Sequence, residues 1–130
     1  MTNHLFVYGS LMPQLTGGFG DAERTRLGSE STVFGPATLK GRLYDLGDYP
    51  GLMLPAAASE AGTVHGTLLH LAAPGRTLAW LDPFEDTYAR LTTTATAAGG
   101  QDFKTWVYVM QRIPAGAVEI PSGLWHARSR

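Results

Sequence analysis

The run Leu5-Phe6-Val7-Tyr8 is apolar or aromatic at every position and stops abruptly at Gly9-Ser10-Leu11. A strand washed by water on one side would alternate; one without polar interruption is built to be covered on both faces, and so to lie at the centre of a sheet. A glycine directly after it lets the chain turn through backbone angles closed to other residues, leaving the N–H groups of Gly9, Ser10 and Leu11 directed into one concavity. Such a concavity suits an anion. Backbone N–H groups bond a carboxylate without an arginine, and the Ser10 hydroxyl adds a donor. Taken alone, the heptapeptide also reads as an ordinary strand end with a turn.

The chain has 130 residues, which fits a single domain over residues 1–130 able to bury about two thirds of its unfolded surface. Its formal charge is −1, with acids and bases nearly balanced, so neither nucleic acid nor an anionic membrane is expected as a partner. Small neutral or zwitterionic ligands fit better. The absence of cysteine removes disulfides, thiolate metal sites and cysteine nucleophiles together. Met1-Thr2-Asn3-His4 enters the first strand without a basic region or long apolar stretch, and a soluble cytoplasmic protein is expected.

Beyond the first turn, residues 21–28 form a short polar helix with a glycine stop, read as a surface excursion. Residues 31–46 carry spaced apolar positions with Gly35-Pro36 and Gly41 inside, consistent with strands bent by glycine. Gly47-Asp48-Tyr49-Pro50-Gly51 reads as a turn, Leu52-Met53-Leu54 as a brief apolar run, residues 56–61 as a loop and residues 62–71 as a strong strand. An amphipathic helix is predicted from Pro74 to Phe84. Leu78, Leu81 and Phe84 make its apolar face with Trp80 beside them, while Arg76, Thr77 and Asp82 face away. Pro83 is expected to limit or kink it, so that Phe84-Glu85-Asp86-Thr87 leaves the helix as a fixed corner. Residues 88–98 and 103–111 then form a hairpin across Gly99-Gly100, and the tail carries a frayed basic end. This order of elements predicts an α+β fold: a small, strongly bent mixed β-barrel with one principal flanking helix.

Chemistry is narrowed mostly by elimination. His65 and His70 are five apart on a strand and face opposite sides, so no metal site is expected from the histidines. No GxSxG elbow, P-loop or dinucleotide fingerprint occurs. What remains is Asp82, Glu85 and Asp86 at the proline-bent corner. If the helix packs its apolar face on the sheet, Glu85 is carried to the rim of the core, where burial and neighbouring acids raise its pKa toward that of a general base. Acids at a helix end are also commonly just solvated.

Several segments, in order, resemble the γ-glutamylcyclotransferase-like (avirulence-induced-gene-like) family: Tyr8-Gly9-Ser10-Leu11, Gly41-Arg42-Leu43-Tyr44-Asp45, Tyr49-Pro50-Gly51, Val64-His65-Gly66-Thr67-Leu68 and Leu81-Asp82-Pro83-Phe84-Glu85. Tyr88-Ala89-Arg90, Val107-Tyr108-Val109 and Pro121-Ser122-Gly123-Leu124-Trp125 extend the resemblance over nearly the whole chain. It implies a compact barrel, a substrate pocket at the end of the first strand, and one essential glutamate matching Glu85. It also implies a metal-independent reaction without a cofactor: the α-amine of a γ-glutamyl group attacks its own γ-carbonyl, releasing 5-oxoproline and an amine or amino acid. Gly9, Ser10 and Leu11, with Tyr8 beside them, would hold the α-carboxylate or developing oxyanion. Tyr44, Tyr49, Tyr88 and Tyr108 are candidate pocket walls that serve equally well as core. The chain departs from the family in carrying Asp86 where glycine usually follows the glutamate, and in reaching Tyr88 sooner. The added charge is expected to push Glu85 further up, and the short loop bears on leaving-group recognition. A non-catalytic member of the fold, binding a small carboxylate-bearing ligand or a protein, is the alternative, and a hydrolase of other γ-linked amides a weaker third.

Overall fold

The computed structural model describes residues 2–18, 20–47, 49–55 and 62–125. The elements are β1 (His4–Val7), α1 (Asp21–Ser29), β2 (Ser31–Asp45), β3 (Pro50–Met53), β4 (Gly62–Leu71), α2 (Pro74–Phe84), β5 (Ala89–Ala97), β6 (Asp102–Val109) and β7 (Val118–Ile120). β1 is central. It pairs antiparallel with β4, His4 to His70 through Val7 to Thr67, and parallel with β6 at Leu5 and Trp106. Leu5, Phe6 and Val7 are buried together with Tyr8 just beyond, as an uninterrupted apolar run requires.

The path β2-β4-β1-β6-β5 returns to β2, because Ala37 and Thr38 pair with Ala97 and Thr96. Five strands of mixed direction thus close a barrel, with β3 and β7 added along the far half of β2. One long strand lies in both parts. Its register against β4 shifts between Val33 and Gly35, where Gly35 has φ 149°; such a bulge bends a strand and lets the sheet curl. The barrel interior holds Phe6, Leu68, Val107 and Ala95 among others, each worth roughly 1–3 kcal/mol of burial depending on size.

α2 has the predicted bounds, Pro74–Phe84, with proline in its first turn. Leu78 and Leu81 are buried, but Thr77 is buried with them rather than facing away. Its hydroxyl donates to Glu30 at 2.6 Å, and the Trp80 indole donates to the same carboxylate at 3.1 Å. Those bonds hold Glu30 below the usual carboxylate range. α1 is likewise no surface excursion, since Arg24 and Leu27 are buried. It runs through Gly28 and ends at Ser29, with Glu30 N–H capping Leu27 C=O at 3.1 Å. Pro50 and Gly51, expected in a turn, open β3 instead; the turn precedes them, with Leu46 N–H donating to Tyr49 C=O. The expected loop at 56–61 and the basic tail from residue 126 onward lie outside the described residues. Among the described residues no helix is long and apolar enough to cross a membrane.

Candidate active site

At the end of β1, Tyr8, Gly9, Ser10 and Leu11 line a cavity of about 230 Å³. Its other walls are the corner after α2, from Phe84 to Tyr88, together with Tyr49, Pro50 and Tyr108. The turn is tight, with Met12 N–H donating to Gly9 C=O at 3.0 Å. Gly9 does not adopt a positive φ, contrary to expectation; the requirement for glycine is steric, because a Cβ there would lie 2.8 Å from the Pro50 ring. The N–H groups of Gly9, Ser10 and Leu11 donate to no protein acceptor among the described residues, so they are available to a ligand.

Glu85 is set by its own backbone. Its N–H closes α2 on Leu81 C=O at 2.9 Å, and its C=O accepts from Tyr88 N–H at 3.0 Å. With the main chain held on both sides, Glu85 is fixed as part of the cavity wall. Burial pushes it up to about 7, which leaves it able to take and give a proton near neutrality. The neighbouring acids are not the cause. Asp86 is exposed, and Asp82 is engaged elsewhere: it receives Arg90 Nε at 2.8 Å, Arg90 Nη2 at 3.1 Å and the Tyr108 hydroxyl at 2.6 Å. For Asp82, burial pushes upward, but the Arg90 and Tyr108 bonds together outweigh it and hold the carboxyl below its ordinary value. Arg90 in turn lies 4.4 Å over the Trp106 ring.

Three tyrosines surround Glu85 closely enough for its charge to raise their hydroxyl pKa values, after burial, which is the larger cause. Each hydroxyl has a partner. Tyr8 donates to Tyr108 C=O at 2.5 Å and accepts from Leu52 N–H at 3.3 Å, Tyr88 donates to Pro50 C=O at 2.8 Å, and Tyr108 donates to Asp82. Tyr49 packs edge-on against Tyr88, with ring centroids 6.5 Å apart. Tyr44 is set apart from this group. It sits on β2 between Gly51 of β3 and Glu119 of β7 and does not line the cavity; Leu43 takes the inward face, and alternation turns Tyr44 the other way.

A family profile for γ-glutamyl cyclotransferase, AIG2-like, matches residues 5–127. The chain belongs to this family. Among solved structures, the γ-glutamyl cyclotransferase, AIG2-like fold is shared with YtfP from Escherichia coli (31% identity, TM-score 0.62, covering 94% of this chain and 95% of that one). YkqA from Bacillus subtilis is similar at 24% identity and TM-score 0.72, covering 96% of this chain, which spans only 40% of YkqA. A structure described as γ-glutamyl cyclotransferase is similar in fold at 15% identity and TM-score 0.61, covering 91% of this chain and 71% of that one. A comparison with curated protein sequences gave no match.

Within this γ-glutamyl cyclotransferase, AIG2-like chain, two contributors to the site were invisible to local pattern. Arg24, in a helix read as peripheral, donates from Nε to Ser10 C=O at 2.6 Å. Gly20, the N-cap of α1 at φ 80°, packs where a Cβ would lie 3.1 Å from Ser10 Oγ and 3.8 Å from Phe84. Their sequence signal is weak: one arginine among three charged neighbours and one glycine in a glycine-rich stretch. As for metals, among the described residues no group of three or more histidine, aspartate or glutamate side chains gathers.

Proposed function

We propose that the protein is a γ-glutamyl cyclotransferase acting on a γ-glutamyl-amine or γ-glutamyl-amino acid. The observation that carries this reading is one cavity lined both by Glu85, raised to about 7, and by the turn at residues 9–11, whose amides donate to no acceptor among the described residues. Among the described residues no lysine, arginine or histidine lines the cavity, so the amides are the donors a substrate carboxylate would meet there. The cavity is small for a ligand pocket, which favours a group of amino-acid size.

In the proposed reaction the Glu85 carboxylate takes a proton from the substrate α-ammonium. The freed amine attacks the γ-carbonyl carbon, forming the ring C–N bond and placing charge on the carbonyl oxygen. The γ-amide C–N bond then breaks as Glu85 returns its proton to the departing nitrogen, and the ring nitrogen gives up its second hydrogen through Glu85 to the released amine, which leaves as an ammonium. The products are 5-oxoproline and an amine, and no water is consumed. Because nucleophile and electrophile belong to one molecule, the cavity has only to hold the chain folded and move a proton. The expelled amine would lie toward a wider open groove that shares Tyr49, Thr87 and Tyr88 with the cavity and contains Arg112.

The test is incubation of wild type and Glu85→Gln with γ-glutamyl dipeptides and γ-glutamyl-lysine, assaying 5-oxoproline. Wild type should release it from at least one substrate. Glu85→Gln should lose about 100-fold or more in kcat while still binding substrate. Absence of product from the whole panel would overturn the reading.

A further inference from the structure

We propose that Arg24 is a positioning residue that orients the amide turn toward a substrate carboxylate, an inference that rests on the cyclotransferase reading for the identity of the substrate. Arg24 is only 8% exposed. Its Nε donates to Ser10 C=O at 2.6 Å, and Nη1 reaches Gly17 C=O at 3.2 Å and Asp21 Oδ1 at 3.3 Å. The guanidinium therefore ties the start of α1 to the turn that follows β1, two segments separated by a loop rich in glycine.

The direction of the amides follows from peptide geometry. A trans peptide is planar, so its C=O and the following N–H point opposite ways, and no peptide bond among the described residues is cis. Gly9 C=O is taken by Met12 N–H at 3.0 Å, which turns Ser10 N–H away from that bond. Ser10 C=O is taken by Arg24, which turns Leu11 N–H away from α1. Neither N–H donates within the protein among the described residues, and both residues line the cavity. Arg24 thus fixes the second of two adjacent donors without lining the cavity itself. Its charge also polarises the Ser10–Leu11 peptide so that the N–H end grows more positive. The ligand feature this favours is an anion, here the α-carboxylate.

The experiment compares a γ-glutamyl dipeptide with its α-carboxamide analogue in wild type, Arg24→Gln and Arg24→Lys, and separately measures binding of 5-oxoproline and 5-oxoprolinamide by calorimetry. In Arg24→Gln, kcat/KM for the carboxylate substrate should fall about 10- to 100-fold, chiefly through KM, as expected for weakening a charge-assisted hydrogen bond. The carboxamide should change by less than about threefold, so the preference between the two collapses; Arg24→Lys should recover part of it. An equal fall for both substrates, or an undiminished preference, would overturn the inference, because loosening of the fold alone does not distinguish the two. If Arg24→Gln fails to fold, the same preference measured in Arg24→Lys decides, a several-fold reduction supporting the inference and an unchanged value overturning it. If wild type forms no product at all, the cyclotransferase reading fails while the binding arm still decides on Arg24: loss in the variant of a wild-type preference for 5-oxoproline over its amide supports it, and its absence in wild type overturns it.

Discussion

The Glu85 carboxyl is held at about 7 by the fold against 4.5 when unperturbed, so the native state favours its protonated form. Its contribution to stability is therefore fully present below pH 4.5 and is lost as pH rises through about 7. Glu85→Gln, which is neutral throughout, should be more stable than wild type at pH 8 by roughly 2–3 kcal/mol and nearly equal to it at pH 4. Denaturant melts at both pH values measure this, and a variant less stable at pH 8 would contradict a desolvated carboxylate. The same assignment fixes the outcome of Asp86→Asn. Because burial rather than the adjacent acid raises Glu85, the acidic limb of kcat/KM against pH should stay where it is in wild type, whereas a shift downward would restore a role for the neighbouring charge.

At the level of elements, the end of α2 is located by Asp82, which grips Arg90 of β5 and Tyr108 of β6 three residues before Glu85. Asp82→Asn weakens that grip. The Asp82 side chain is 43% exposed, so screening limits the stability loss to about 1 kcal/mol or less. The larger effect should be on position: kcat should fall about tenfold while the melting temperature moves only a few degrees. Equal losses in kcat and stability would argue for a purely structural clamp. α2 itself was legible from spacing alone, since Leu78 and Leu81 recur at helical period next to an N-terminal proline. Thr77 was misread on the same pattern because its partner, Glu30, is 47 residues away and leaves no local trace. Arg24 escaped for the same reason. That Glu85 and the turn after β1 stand at element ends was legible locally, because a helix end and a strand end announce themselves in the sequence; their shared role rested on resemblance, as did that of Tyr44, which was assigned without the strand register that turns it away.

Across the whole molecule, the barrel is closed unevenly. β2 and β4 share ten register pairs, but β2 and β5 meet at only two, Ala37 with Ala97 and Thr38 with Thr96. Backbone amides along this seam should exchange with solvent at lower free energy than those of Leu68 and Leu69, and residue-resolved hydrogen exchange measures the difference. Uniform protection would mean that closure is as strong as the rest of the sheet. A bent barrel was foreseeable from glycines within strands, but the meeting of β2 and β5 was not, because pairing between strands so far apart depends on curvature accumulated over the whole path. The tyrosines around Glu85 carry a last consequence. With the hydroxyls of Tyr8, Tyr88 and Tyr108 each committed to a main-chain carbonyl or to Asp82, none is poised as a separate acid. A cyclisation performed in this chamber would have to pass its hydrogens between two nitrogens of the same molecule through one carboxyl, and its rate should climb to a plateau on the alkaline side instead of tracing a bell through those phenols.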